Sequence, residues 1–132
     1  MSELMTRPIP APAVTLETKA FFDAAAEGKF LIKRCKACHA FHHYPRAICP
    51  LCFSSETEWR DAKGTGTVYT CSVLRRGVPE PYCIAYVTLE EGVSMLTNIV
   101  DCDLDTVKIG MKVKVTFKPT DGGPPVPMFT PI

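Results

Sequence analysis

The chain has 132 residues, 46% of them hydrophobic, with 15 basic and 14 acidic side chains and a formal charge of +1. That length allows one domain, or two small modules sharing a core, and the apolar share excludes general disorder. The near balance of charge argues against a dedicated nucleic-acid binder, whose footprint is a basic excess.

Residues 1–14 hold Pro8, Pro10 and Pro12 in alternation, a pattern that favours an extended arm. The same stretch lacks the apolar core of a signal peptide, and no apolar run in the chain approaches the ~20 residues that span a bilayer. A helix is predicted over residues 15–28, with Thr15 as its cap, Glu17 at the positive end and Gly28 closing it. Leu16, Ala20, Phe21, Ala24 and Ala25 include i, i+4 spacings, and Phe22 widens the apolar surface. Such a terminal amphipathic helix reads as core packing rather than a partner-binding element.

Residues 29–63 read as a zinc ribbon. Phe30 to Arg34 forms a strand leading into Cys35-Lys36-Ala37-Cys38, Tyr44-Pro45-Arg46 leads into Cys49-Pro50-Leu51-Cys52, and Glu58-Trp59-Arg60 leads out. The two-residue gap in each Cys-x-x-Cys hook lets both sulfurs reach one centre, at about 2.3 Å for zinc. Four thiolates close a tetrahedral site with no open position for substrate, so Cys35, Cys38, Cys49 and Cys52 predict one structural Zn2+ per chain. An iron centre of the rubredoxin type has a longer stretch between its hooks, which favours zinc. His39, His42 and His43 lie in the intervening loop and, with four cysteines available, read as surface groups. Cys71, Cys83 and Cys102 sit in apolar, strand-like surroundings and read as buried free thiols. The odd count of seven cysteines beside a metal motif fits a reducing compartment, so the chain reads as cytoplasmic.

Residues 64–132 have a β texture. The runs Thr65–Arg76, Tyr82–Leu89, Ser94–Val100, Met111–Lys118 and Val126–Thr130 are separated by Gly-, Pro- and Asp-rich turns. Five short strands so spaced suit the closed Greek-key barrel called the OB-fold, ending in a Pro-rich tail. Gly64 and Gly66 read as glycines that let the first barrel strand bend, not as a phosphate loop, since no helix follows. Lys112 to Lys118 alternates, with Val113, Val115 and Phe117 inward. Tyr82 to Leu89 does not: Cys83, Ala85, Val87 and Leu89 fill one face while Tyr82, Ile84 and Tyr86 make the other apolar too. That second face needs cover, from this chain or from a partner.

The whole arrangement resembles one family. Its order is a helix, Gly28-Lys29-Phe30-Leu31-Ile32-Lys33-Arg34-Cys35-x-x-Cys38, Tyr44-Pro45-Arg46-x-x-Cys49-Pro50-x-Cys52, Trp59, Gly64-x-Gly66-Thr67-Val68-Tyr69 and Ile109-Gly110-Met111-Lys112-Val113. It resembles the zinc-ribbon plus OB-fold proteins, long catalogued as a domain of unknown function, that accompany thiolases and hydratases of acyl-CoA metabolism. The resemblance implies a mainly β fold with an N-terminal helix, a rubredoxin-like zinc ribbon and a five-stranded barrel. It further implies a non-catalytic accessory subunit that joins a thiolase-like or enoyl-CoA hydratase-like enzyme in a hetero-oligomer, with acyl-CoA contact suggested for the family. In this setting Tyr82, Ile84 and Tyr86 are candidates for the partner surface. Arg75 and Arg76, at the end of the first long strand, read either as a solvated strand end or as cations for coenzyme A phosphates. The family usually has glycine after each hook, because that residue takes positive φ. Here His39 and Phe53 stand there, so the second hook is expected to be rearranged or its metal less firmly held. The alternative function is a single-stranded nucleic-acid module stacking bases on Tyr69, Tyr82 and Tyr86, which the neutral charge disfavours. Asp101, Asp103 and Asp105 read as loop carboxylates, and no catalytic set is recognisable.

Overall fold

The computed structural model describes residues 8–132, so the first seven positions of the expected arm lie outside the described residues. From Pro8 the chain runs without regular structure, and the Asp121 N–H donates to the Ile9 carbonyl at 2.8 Å. The helix α1 spans Lys19–Ala26, starting four residues later than the pattern suggests. Thr15 and Thr18 explain the delay. The Thr18 N–H donates to the Thr15 carbonyl and the Thr15 N–H to the Thr18 hydroxyl, both at close to 3 Å, so a turn takes up the first residues. Leu16, expected on the apolar face, falls in that turn and is exposed. At the other end Gly28 has φ +79. Its N–H reaches the Ala25 carbonyl and the Lys29 N–H reaches that of Ala24, the paired closure that a left-handed residue after a helix allows.

The ribbon is a three-stranded antiparallel sheet of β1 (Leu31–Cys35), β2 (Phe41–His42) and β3 (Thr57–Asp61), with β1 in the middle. Its short strand follows the first hook directly, rather than coming from Tyr44–Arg46. The barrel is closed in the order β4-β5-β6-β8-β7, from β4 (Thr65–Leu74), β5 (Tyr82–Leu89), β6 (Ser94–Ile99), β7 (Lys112–Lys118) and β8 (Val126–Pro131). The Pro-rich tail thus closes the barrel: β8 pairs antiparallel with β7 and meets β6 in parallel at Ile99 and Phe129. Gly66 sits where β4 pairs with both β5 and β7, and a Cβ there would lie 2.5 Å from the Thr88 carbonyl oxygen. A side chain would force the strands apart, so the glycine permits closure. Beyond it the register slips between Val68 and Thr70, leaving Tyr69 as a bulge.

Ribbon and barrel share one core. Phe21 and Phe22 of α1, Phe30 and Ile32 of the ribbon, and Val68, Val87, Val113 and Phe129 of the barrel belong to one buried cluster. Phe30 is the joint, with ring centroids 6.3 Å from Phe21 and 6.2 Å from Phe129, all edge-on. Of the three cysteines outside the hooks only Cys83 is fully buried; Cys71, on β4 opposite Ala85, and Cys102, just after β6, are half-buried against the core. Among the described residues no helix is long and apolar enough to cross a membrane.

Candidate metal centre

The four hook sulfurs converge, all within 4.8 Å of one another. Cys35 and Cys52 approach to 3.5 Å and Cys38 and Cys49 to 3.8 Å. A tetrahedron of sulfurs about 2.3 Å from a central zinc has edges of about 3.8 Å, so the spacing fits a metal, and none of the four is in a disulfide. Cys35 and Cys49 face inward and are fully buried, while Cys38 and Cys52 lie at the surface.

The two hooks repeat one hydrogen-bond pattern. The Cys35 N–H donates to the Ala40 carbonyl and the Cys49 N–H to that of Ser54, each at 2.9 Å. The His39 N–H returns to the Cys35 carbonyl and the Phe53 N–H to that of Cys49. Backbone N–H groups also point at sulfur: Cys38 at Cys35 Sγ and Leu51 at Cys49 Sγ, both at 3.4 Å. His39 takes φ 67 and Phe53 φ 65. The expected rearrangement of the second hook is therefore absent: Phe53 adopts the left-handed conformation of a glycine and accepts the cost.

The electrostatics of the cluster call for a cation. The Cys38 N–H, with neighbouring donors, pulls the Cys35 thiol down to about 6. The Cys49 thiol is lowered first by the Cys52 N–H. At Cys52 the Ser54 N–H favours the thiolate, but the neighbouring sulfurs outweigh it and push the group up to about 12. Neighbouring thiolates repel, so the set does not ionise fully alone; a divalent ion removes the conflict.

The loop histidines are not all surface groups. His39 is exposed, but His42 is buried and His43 packs against the Phe21 ring at 5.6 Å. Burial lowers the pKa of His42 and drives that of His43 down to about 4. For His43 the cover comes from α1, which lays Phe21 over the loop 22 positions further along the chain. Beside them Lys33 is buried on β1, its Nζ 4.5 Å from the Trp59 ring and donating to the Thr57 hydroxyl. Glu17 ties the helix turn to the ribbon by accepting from the Ala47 N–H at 2.7 Å and pairing with Arg46 at 3.7 Å.

Elsewhere the loop carboxylates have structural partners. Asp101 pairs with Lys118, Asp103 accepts from the Asp105 N–H, and Asp105 pairs with Arg75. Tyr82, Ile84 and Tyr86 point outward on β5, with Ile84 and Tyr86 exposed and Tyr82 partly so. Two neighbours extend this face: Leu96 of β6, opposite Tyr86, which the sequence reading missed, and the bulged Tyr69, which it named only as a stacking residue. Burial alternates along Ser94-Met95-Leu96-Thr97, but the residue types there do not. The sequence therefore offered only a strand period to place Leu96 outward, and nothing local marked the bulge.

Comparison with known proteins agrees with this architecture. Residues 22–58 match the family profile described as the ChsH2 rubredoxin-like zinc ribbon domain, and residues 59–118 that of the ChsH2 C-terminal OB-fold domain. A "Probable enoyl-CoA hydratase alpha subunit" from Thermomonospora curvata is 34% identical over 92% of this chain. A "DUF35 domain-containing scaffold protein" from Methanocaldococcus jannaschii is 40% identical over 64% of it. The chain spans only 40% of the first relative's length and 64% of the second's. A solved structure described as "Ltp2-ChsH2(DUF35) aldolase" aligns with a TM-score of 0.77 and 34% identity, covering 91% of this chain and 98% of that one.

Proposed function

The chain belongs to the ChsH2 (DUF35) family of zinc-ribbon plus OB-fold proteins, and from that premise we propose that it is a non-catalytic accessory subunit of an acyl-CoA enzyme of the thiolase, aldolase or hydratase type. The single observation that carries this reading is the outer face of β4, β5 and β6. Two cross-strand rows, Thr70–Tyr86–Leu96 and Ser72–Ile84–Asn98, run over it without a charged side chain. Ile84, Tyr86 and Leu96 are 37%, 47% and 59% exposed, and neither the helix nor the tail covers them. Water-facing sheets ordinarily carry charges, as Lys112 and Lys114 do on β7. A face rich in Tyr and depleted of charge has the composition of an interface centre.

In this reading zinc sits among Cys35, Cys38, Cys49 and Cys52 as a structural staple, and the chemistry belongs to the partner. The names of the relatives support an enzyme partner of this class. The free thiols and the metal hooks suit a cytoplasmic setting. Arg75 and Arg76, at the end of β4, are the proposed cations for coenzyme A phosphate. Asp105 already pairs with Arg75, which makes Arg76 the main contributor. The nucleic-acid alternative gains nothing here, since the rows that would stack bases lack the cations that hold a phosphate backbone.

Co-expression with the thiolase-, aldolase- and hydratase-type enzymes of the same genome tests the proposal. One of them is expected to co-purify in a defined stoichiometry, and Tyr86→Asp on the barrel face to disrupt that complex. Failure of all to associate, with salt-sensitive binding to single-stranded DNA, would overturn it.

A further inference from the structure

The two metal hooks share a backbone and differ completely in surface. Position for position, Arg34, Lys36, Ala37 and His39 around the first hook correspond to Ile48, Pro50, Leu51 and Phe53 around the second. Ile48, Leu51 and Phe53 are 54%, 66% and 78% exposed. Three large apolar side chains thus stand in water within six positions, and none joins the core. Phe53 also holds a left-handed conformation that glycine adopts without strain. Folding gains nothing from a phenylalanine at that position.

We infer that the second hook is an apolar docking knuckle that inserts into an uncharged pocket of the partner enzyme. The inference rests on the accessory-subunit reading and adds a second anchor, on the ribbon, to the barrel face. Rigidity is the physical reason a hook suits this task. Backbone hydrogen bonds to Cys49 and a bound metal fix the tip in advance, so little conformational entropy is lost on docking. Charge selects the kind of partner. The ionisable groups on either side in sequence are Arg46, paired with Glu17, and Glu56. On the facing hook Arg34 pairs with Glu58 and the Lys36 backbone meets that of Glu56, so acids offset the bases and no net basic belt draws the tip to anionic lipid.

The test uses the zinc-loaded full chain and the enzyme that co-purifies with it, with affinities measured by calorimetry. Leu51→Asp is expected to weaken binding about 30-fold or more, as removal of a hot-spot anchor does, at unchanged zinc content. Phe53→Gly relieves the backbone, so it is expected to raise the thermal midpoint while weakening binding about tenfold, a pairing that a purely structural role does not produce. Wild-type affinity in both variants, while Tyr86→Asp abolishes the complex, overturns the knuckle and leaves the accessory reading standing. Absence of any complex with the wild-type chain overturns both. Binding of the wild-type chain to phosphatidylcholine–phosphatidylglycerol vesicles, lost in Leu51→Asp, also overturns the protein pocket and assigns the tip to lipid.

Discussion

The ribbon and the barrel reach stability by different routes, although Phe30 joins them in one core. The barrel encloses Val68, Val87, Val113 and Phe129 behind five strands whose backbone groups pair round a closed circle. The ribbon has a two-residue strand, and its buried groups include Lys33 and His42. So small a sheet cannot remove enough apolar surface from water to hold itself, and metal coordination supplies the difference. The consequence appears at the surface. A region held by a metal can leave Ile48, Leu51 and Phe53 outside, because its fold does not depend on burying them.

The strongest way to break the comparison is to remove the metal. Chelation, or Cys35→Ser, is expected to unfold the hooks and β2 while the barrel persists, visible as loss of ribbon amide signals with barrel signals retained. A metal-free chain with a fully folded ribbon would refute the staple. Next in size is the converse experiment. Phe129 is fully buried in the barrel, and Phe129→Ala is expected to cost about 3–5 kcal/mol in denaturant unfolding while zinc binding survives in the folded fraction.

The smallest effect concerns the helix that bridges the two regions. His43, half-buried against Phe21, has its pKa lowered to about 4 from the usual 6.5 by desolvation. A depressed histidine favours the neutral folded state, so this contribution is complete above about pH 6.5 and fades as pH falls toward 4. It amounts to about 3 kcal/mol at most. His43→Phe is expected to flatten the pH dependence of unfolding between pH 6.5 and 5 relative to wild type. Equal slopes in the two proteins would assign the acid sensitivity to His42 or the thiolates instead.

Much of this was legible in one dimension because the physics behind it is local. Two-residue gaps between cysteines place sulfurs together in any ribbon, and alternation in Lys112–Lys118 follows from the strand period of two. The run Tyr82–Leu89 coincides with β5 because a short, nearly continuous apolar stretch between Pro- and Gly-containing turns reads as a strand. His39 is the surface group expected, but His43 was misread because its cover comes from Phe21, far away in the chain. Leu16 was misplaced because two threonines, each with its own hydrogen bonds, outcompeted the first helical turn. At Phe53 a sound local rule, that left-handed positions prefer glycine, was overruled by the closure of the hook around its cysteines.

By itself, then, the sequence determined the metal hooks, the five barrel strands and the shortage of charge on β5, since these depend on spacing and period. The tertiary structure decided which apolar residues are left uncovered. For Ile84 and Tyr86 the sequence left open whether this chain or a partner covers them. Leu96 on the barrel, with Ile48, Leu51 and Phe53 on the hook, looks no different in sequence from residues bound for the core. What separates them is barrel closure and the course of the helix, which depend on contacts between residues distant in the chain.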